Sequence, residues 1–249
     1  MLGRRFYARP TLDVARDLLG KVLVHRAVDG TTAGVIVETE AYIGESDPAC
    51  HAAPGPTKRN APLYGPPGHA YVYFNYGVHW LVNAVTEPEG SPAAVLIRAL
   101  SPIEGLDVMR ARRGLKADGR RIPDCELCRG PGNVTRAMGI CGSQNRADLT
   151  ARRPDTPPSG RRDAGFASGC EARSRLWIED RGVAVPDVTW TRRIGISVGT
   201  EPHWRCCVTG DPAVSAGRQG APISPAGAAR GAGRGRGTRP SARLGRRRS

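Results

Sequence analysis

The segment VIVETEAY, residues 35–42, carries two carboxylates two positions apart within a run of strand-forming residues. Side chains alternate between the two faces of a strand, so Glu38, Glu40 and Tyr42 are expected on one face together with Ile36. Acidic residues on strands are mostly exposed, so the pair fits a solvated edge strand. It also fits a site in which a carboxylate takes a proton from water, which is general-base catalysis.

A cation on another predicted strand favours the catalytic interpretation. In AAVLIRAL, residues 93–100, Arg98 shares a face with Leu96 and Leu100. A guanidinium among apolar neighbours needs a carboxylate partner, and Glu40 is the first candidate. A carboxylate held by an arginine stays ionised and can act as a base.

Aromatic residues cluster in YVYFNYGVHWLVN, residues 71–83. Tyr71 and Tyr73 are predicted on one strand face, and Gly77 allows a sharp turn. Tyrosine forms strands well, so these rings fit a half-buried sheet. They also fit stacking on nucleic-acid bases, with an aromatic residue at the turn entering between bases. Asn83 is predicted among apolar residues, where its amide must be hydrogen-bonded or must read the edge of a ligand.

Two further polar features are weak evidence of function when each is taken alone. His51 lies in DPACHAAPG, and a single histidine is more often structural than catalytic. Lys58 and Arg59 lie in TKRN, and short basic runs are usually solvated. Both cations become candidate phosphate contacts only if the chain binds nucleic acid.

Cysteine spacing does not predict a metal site. Cys125 and Cys128 have the spacing of half a zinc site, but no second pair follows, and the helical pattern around them predicts both thiols on one buried face. The seven cysteines are scattered, unlike those of small disulfide-rich secreted domains, so we expect reduced thiols in a cytoplasm and no metal.

Short elements must position these candidates. TLDVARDLLG predicts a helix that Thr11 caps and Gly20 ends. An Asp29-Gly30 turn predicts that the first two strands form a hairpin. The predicted strands are 21–28, 34–42, 69–76, 78–85 and 93–100, and the predicted helices are 103–113 and 125–138, the second interrupted by GPGN at 130–133.

Charge is distributed unevenly along the 249 residues, whose net charge is +14. Residues 218–249 hold nine arginines and no acidic residue, which leaves +5 for residues 1–217. The excess favours polyanionic partners, either nucleic acid or an anionic membrane surface. We expect one domain over residues 1–217 with a flexible insert at about 151–175, and a disordered Arg/Gly-rich tail over 218–249.

The start of the chain, MLGRRFYARPTL, contains charges but no apolar segment of the kind found in export signals. No later window approaches the length needed to span a bilayer. We therefore expect a cytoplasmic protein that is not secreted and has no membrane partner.

Seven segments, taken in order, are similar to those of one known family. They are FYARPTLDVARDLLGK, VETEAY, the AxH around His51, TKRN, GHAYVYFNYGVHWLVN, VLIRALSPIEGLDVMR and LCRGPGN. Together they resemble the alkyladenine (3-methyladenine) DNA glycosylase family, of the mammalian type rather than the helix-hairpin-helix type. The resemblance runs from about Phe6 to Ser215 and is weakest after Thr150. It implies a mixed α/β (α+β) fold, a single domain with a curved antiparallel sheet and surrounding helices.

The resemblance implies the following roles near the reacting bond. Glu40 would be the general base that activates water, and Arg98 would help to hold that water. Glu38 matches a family position without a catalytic role. The backbone carbonyl near Val208 would also contact the water, although Cys206-Cys207 precedes it where the family pattern has an aromatic pair.

The resemblance also implies how DNA would be held. Tyr42, His51 and Tyr73 would stack around a flipped base, and Asn83 would lie against its edge and disfavour normal guanine. Tyr76 would be the wedge that fills the gap in the duplex. The expected function is excision of alkylated or deaminated purines from double-stranded DNA by a monomer without a cofactor.

Two other functions remain to be weighed. A non-catalytic nucleic-acid binder would use the tyrosines and the basic tail but would have no use for Glu40. An O-glycosidase would need two carboxylates facing each other across its substrate, whereas residues two apart on a strand are only about 6.6 Å apart and point in parallel. None of the three lysines lies in the strand motifs around Glu40 and the tyrosines, which argues against an amine nucleophile and strand cleavage.

Overall fold

The computed structural model of the chain describes residues 1–150 and 174–215. The insert predicted at 151–175 lies outside the described residues as far as residue 173, and the tail predicted at 218–249 lies outside them entirely. The described residues form a mixed α/β fold built on one curled antiparallel sheet, which confirms the predicted fold class.

The sheet contains eight strands, and every pairing among them is antiparallel in the described residues. Their order is β3-β4-β5-β2-β1-β6, and β8 pairs with both β2 and β7. The strands are β1 Val22–Ala27, β2 Gly30–Ile43, β3 Ala70–Asn75, β4 His79–Val85, β5 Ala93–Glu104, β6 Arg175–Glu179, β7 Val188–Thr191 and β8 Arg205–Val208. The strands predicted before residue 100 are all present, with small shifts at their ends.

Strand β2 lies at the centre of the sheet and not at an edge. It pairs with β1 through its first half, with β5 along most of its length and with β8 around Thr39. The β2–β5 register shifts on both sides of Glu38, as at a β-bulge. The edge-strand interpretation of the two carboxylates is therefore wrong, because β2 is hydrogen-bonded to other strands along both of its edges.

The helices are short and pack against the sheet. They are α1 Arg4–Tyr7, α2 Thr11–Asp17, α3 Leu106–Arg113, α4 Asp124–Leu127 and α5 Pro131–Met138. The predicted interruption of the second helix is present at residues 128–130, between α4 and α5. Residues 131–133 of the GPGN segment begin α5, because proline suits the first helical turn. The helix predicted from residue 103 begins at Leu106, since β5 continues to Glu104 and Gly105 takes a left-handed conformation (φ 72°) at the junction.

The prediction that Thr11 caps α2 is wrong, because Pro10 occupies the cap position and Thr11 is the first residue of the helix. The Thr11 hydroxyl lies 2.9 Å from the hydroxyl of Thr86 and donates to Glu87 at 2.8 Å. The predicted common face for Cys125 and Cys128 is also wrong. Cys128 is buried in the main core, while Cys125 packs against a second apolar cluster on β1 and β2.

A third and smaller apolar cluster supports the region where the candidate residues meet. It contains Cys50, Ala52, Leu63, Tyr71, Val85 and Ala94, with Tyr42 and Tyr73 packed against it. Among the described residues, no helix has the length and apolar content needed to cross a membrane. Within the same part of the chain, no group of three or more acidic, histidine or cysteine side chains is placed to hold a metal ion.

Candidate active site

Glu40 is fully buried and has three hydrogen-bond donors. Its Oε2 accepts from Arg98 Nη1 at 3.0 Å and from the Tyr42 hydroxyl at 2.9 Å. Its Oε1 accepts from the backbone amide of Ile194 at 2.7 Å. The predicted pairing of Arg98 with Glu40 is present in the structure, and it joins the adjacent strands β2 and β5.

Glu38 is equally buried, but its oxygens are taken up by other groups. Oε1 accepts from Arg98 Nε at 2.9 Å and from Arg205 Nε at 2.6 Å. Oε2 accepts from the backbone amide of Ser215 at 2.7 Å. Glu38 therefore binds two guanidinium groups and a chain segment, and it does not face Glu40 across a substrate.

The two carboxylates differ in pKa direction because their surroundings differ. Burial raises the pKa of Glu40 above its usual range and outweighs the opposing effects of Arg98 and the two other donors. Burial acts on Glu38 in the same direction, but the charges of Arg98 and Arg205 together lower its pKa below the usual range. Glu40 is thus the carboxylate that is suited to take up a proton.

A cavity of about 370 Å³ opens beside Glu40. Arg98, Tyr42 and Ile194, the three donors to Glu40, all line it. Its volume is in the range of small-ligand sites. The remaining lining residues include His51, Tyr71, Tyr73, Tyr76, Asn83 and residues 195–198.

Aromatic rings form one wall of this cavity. The ring centroids of His51 and Tyr73 are 4.4 Å apart, and those of Tyr71 and Tyr73 are 5.1 Å apart. The hydroxyl of Tyr71 lies 2.9 Å from His51 Nδ1. Burial, aided by Arg59, lowers the pKa of His51, while burial raises the pKa of Tyr71 to about 12. Both groups are therefore neutral at neutral pH, so this wall of the cavity carries no charge from either ring.

Asn83 is buried at the cavity wall. Its Nδ2 donates to the backbone carbonyl of Tyr71 at 2.9 Å, across the β3–β4 pairing in which the two residues face each other. This bond fixes the plane of the amide. It places a polar group with a defined orientation at an otherwise aromatic and apolar wall.

Tyr76 lies at the tip of the β3–β4 hairpin and is 87% exposed. Tyr76 (φ 48°) and Gly77 (φ 68°) are both left-handed, and Val78 N donates to Asn75 O at 3.0 Å, which describes a type I′ turn. A tyrosine in this conformation is strained, and the large exposed ring is not explained by packing.

The TKRN loop lies next to this hairpin. Lys58 and Arg59 are exposed, and Arg59 Nη2 donates to the carbonyl of Phe74 at 3.2 Å. Asn60 is buried and donates to the carbonyls of His51 and Gly55 at 2.7 and 2.8 Å. The loop thus connects the two exposed cations to the hairpin and to the segment that carries His51.

Val208, predicted to contact the water, does not line the cavity. It lies at the end of β8, and its carbonyl accepts from Asp211 N at 3.4 Å. Glu40 reaches the cavity wall only through its three donors, and Lys58 and Arg59 lie on the neighbouring loop. The backbone that contacts the catalytic candidates is that of Ile194, whose amide binds Glu40 and whose carbonyl lies 3.4 Å from Arg98 Nη1. Cys206 is buried in the main core and does not line the cavity.

The sequence prediction missed Arg193 as well as Ile194. Arg193 and Asp47 form a buried ion pair, and the Arg193 guanidinium lies 4.7 Å from the centroid of the Tyr42 ring. In RRIGISVG, Ile194, Ile196 and Val198 alternate as in a strand, which was the available signal of ordered structure, but this pattern does not show that the segment approaches β2. Adjacent arginines are usually solvated, so Arg193 gave no signal of burial.

Comparison with known proteins places the chain in the class of DNA glycosylases, hydrolases that act on N-glycosidic bonds. A family model described as methylpurine-DNA glycosylase matches residues 5–212, and the chain belongs to this family. The family resemblance seen in the sequence is thereby confirmed.

Relatives in three organisms carry the name "Putative 3-methyladenine DNA glycosylase". The protein from Burkholderia lata is 46% identical over 216 residues, which cover 86% of this chain and 91% of the relative. The protein from Chlorobaculum parvum is 43% identical over 223 residues, or 89% and 93% of the two chains. The protein from Methanocella arvoryzae is 44% identical over 218 residues, or 86% and 96%.

Proposed function

We propose that this protein is a monofunctional 3-methyladenine DNA glycosylase of base excision repair. It flips alkylated or deaminated purines out of duplex DNA and hydrolyses the N-glycosidic bond, leaving an abasic site. Hypoxanthine and ethenoadenine are further candidate substrates. The observation that carries the proposal is the placement of Glu40, buried against Arg98, Tyr42 and Ile194, which line a cavity with an aromatic wall.

The chemistry needs one base. Glu40 takes a proton from a water molecule, the water oxygen bonds to the anomeric carbon, and the base departs with the electrons of the glycosidic bond. Arg98 and the Ile194 carbonyl, which lie 3.4 Å apart, would orient that water. An alkylated purine already carries positive charge and leaves readily, so a second carboxylate acting as an acid is not required. Glu38 would not act as that acid, because its oxygens accept hydrogen bonds from Arg98, Arg205 and Ser215.

The cavity accounts for base binding. Tyr42, His51 and Tyr73 offer ring faces for stacking, and the neutral state of His51 avoids repulsion of a cationic base. Asn83 is placed to read the edge of the base and to disfavour guanine. None of the lining residues of the described cavity is a lysine, so no amine is placed to form a Schiff base with the sugar.

The exposed surface beside the cavity supports binding of duplex DNA by a monomer. Tyr76 at the hairpin tip would enter the gap that the flipped base leaves, and Lys58 and Arg59 would contact phosphates. We assign the catalytic domain to residues 1–217. The nine arginines of residues 218–249 would add affinity that does not depend on DNA sequence.

The test is single-turnover excision of hypoxanthine, ethenoadenine and 3-methyladenine from defined duplexes. Glu40→Gln should abolish excision while the variant still binds damaged duplex, because the amide keeps the shape but cannot accept the proton. Glu45→Gln, at an exposed residue just beyond β2, is the matched control and should keep the parental rate. Excision by Glu40→Gln at the parental rate would refute the proposal, and strand nicking without alkali would refute its monofunctional part.

A further inference from the structure

Four charged side chains are buried together beneath the cavity. Glu38, Glu40, Arg98 and Arg205 are at most 6% exposed, and their formal charges sum to zero. Arg98 Nε and Nη1 bind Glu38 and Glu40 respectively, so one planar guanidinium bridges both carboxylates through two different nitrogens. Arg205 lies opposite Glu40 in the β2–β8 pairing, yet its Nε binds Glu38.

This arrangement gives Glu38 a geometric effect on Glu40. A guanidinium held only through Nη1 could rotate about its long side chain, whereas a second bond through Nε fixes its plane. Arg98 also lines the cavity, so the orientation it presents to bound water depends on Glu38. Arg205 is itself fixed by the Thr191 hydroxyl at 2.9 Å and the Ser215 carbonyl at 3.0 Å.

The arrangement also gives Glu38 an electrostatic effect on Glu40. Without Glu38, two buried cations would act on Glu40, and opposite charges stabilise the ionised form of a carboxylate and weaken it as a base. Without Arg205, the negative charge of Glu38 would be less compensated and would favour the protonated form of Glu40. The two residues therefore act on Glu40 in opposite directions.

We propose that Glu38 and Arg205 are positioning residues that set the basicity of Glu40, Glu38 through its bond to Arg98 and Arg205 through its bond to Glu38. The inference rests on the proposed function of Glu40 as the general base. It assigns to Glu38 a role in the reaction that is distinct from a second catalytic carboxylate, since the oxygens of Glu38 accept from Arg98, Arg205 and Ser215.

The other groups around Glu40 do not duplicate this role. Arg193 is paired with Asp47, so its charge is compensated locally. Burial raises the pKa of Tyr42, Tyr73 and Cys207, and these groups are neutral wherever Glu40 titrates. The titratable and charged groups that face Glu40 are Glu38 and Tyr42 from β2, Tyr73 from β3, Arg98 from β5, Arg193 after β7, and Arg205 and Cys207 from β8.

The test is the pH dependence of single-turnover excision on hypoxanthine duplex. Base catalysis needs ionised Glu40, so the rate falls as the pH falls through the pKa of Glu40. Glu38→Gln should move the midpoint of this decline to lower pH by about one unit or more, because a negative neighbour is lost. Arg205→Gln should move it to higher pH, because a positive neighbour is lost. Glu38→Asp keeps the charge and should restore most of the parental midpoint.

The opposite directions separate this role from a structural one. Loss of packing would lower both rates without moving the two midpoints apart, and unchanged midpoints or shifts in one direction would overturn the inference. If Glu38→Gln does not fold, as judged by circular dichroism, Arg205→Gln and Glu38→Asp still decide the question. Failure of the proposed function is separate, since it would appear as activity in Glu40→Gln.

Discussion

Arg193 and Asp47 form a bidentate ion pair in which neither side chain is exposed, with Nη1–Oδ2 and Nη2–Oδ1 distances of 2.6 and 2.8 Å. The Arg193 guanidinium lies between the rings of Tyr42 and Trp204, at 4.7 and 5.0 Å from their centroids. It also donates to the carbonyls of Ala41 and Gly199. The pair therefore joins the end of β2 at Ala41 to Asp47, in the segment that follows β2, and to the 193–199 segment.

Breaking this pair should be costly, because it leaves a buried guanidinium without its counterion. Asp47→Asn should lower the free energy of unfolding by about 3–5 kcal/mol, measured by urea denaturation. The exposed pair of Arg192 and Glu201, with side chains 57% and 78% exposed, is the matched control. Glu201→Gln should change stability by about 0–1 kcal/mol. If the two variants lost similar free energy of unfolding, the buried pair would not stabilise the protein more than the exposed pair does.

Tyr76→Ser should slow excision according to how firmly the target base is stacked. Extrusion costs a few kcal/mol, and a side chain that fills the vacated gap offsets part of this cost. Hypoxanthine opposite thymine needs the wedge most, whereas the same base in single strand or opposite an abasic gap starts partly extruded. Single-turnover rates should therefore fall strongly in the paired duplex and weakly in the disrupted one.

Tyr73→Ser is the comparison for the wedge test, because Tyr73 lies inside the cavity beside His51. Loss of a stacking ring there should slow both substrates by a similar factor. If Tyr76→Ser also slows both equally, Tyr76 is not a wedge. Its exposure at the hairpin tip and its left-handed backbone would then need another explanation.

Asn83→Ala should raise excision of undamaged guanine relative to hypoxanthine. The side chain amide is held in one orientation by its bond to the Tyr71 carbonyl, so it can oppose a base whose edge does not match. An unmatched polar contact costs about 1–3 kcal/mol, or roughly 5- to 150-fold in relative rate. Asn83→Leu, which is close in volume but has no amide, is the control for packing and should raise the ratio in the same way. An unchanged ratio of the two single-turnover rates in Asn83→Ala would remove Asn83 from base selection.

Removal of residues 218–249 should weaken DNA binding at low salt and flatten its salt dependence. Each phosphate contact contributes about −0.9 to the slope of log K against log salt, and nine arginines are lost. Fluorescence anisotropy across a salt series measures the slope. The single-turnover rate at saturating protein should stay at the parental value, and a much slower rate there would show that the tail acts on the chemical step.

Much of the fold follows from local pattern. Strand alternation and the glycine turns place β1 to β5 correctly, because each strand carries its own periodicity and each turn its own backbone requirement. The pairing of Arg98 with Glu40 is also predictable, since a cation between apolar residues must find a carboxylate. The aromatic cavity is predictable in part, because Tyr71, Tyr73 and Asn83 lie on one paired hairpin.

Contacts between segments that are distant in the sequence could not be predicted from local pattern. Nothing local to β2 shows that β8 covers it, so Glu38 could not be distinguished from a solvated edge residue. The approach of Ile194 to Glu40 joins residues 154 positions apart and uses a backbone amide, which every residue type except proline offers. The sequence by itself determined the strands, the hairpins and the residue types available for catalysis. Only the tertiary structure decided which carboxylate is neutralised by two arginines and which is hydrogen-bonded by Tyr42 and Ile194 of the cavity wall, because burial and charge compensation depend on neighbours that chain order does not specify.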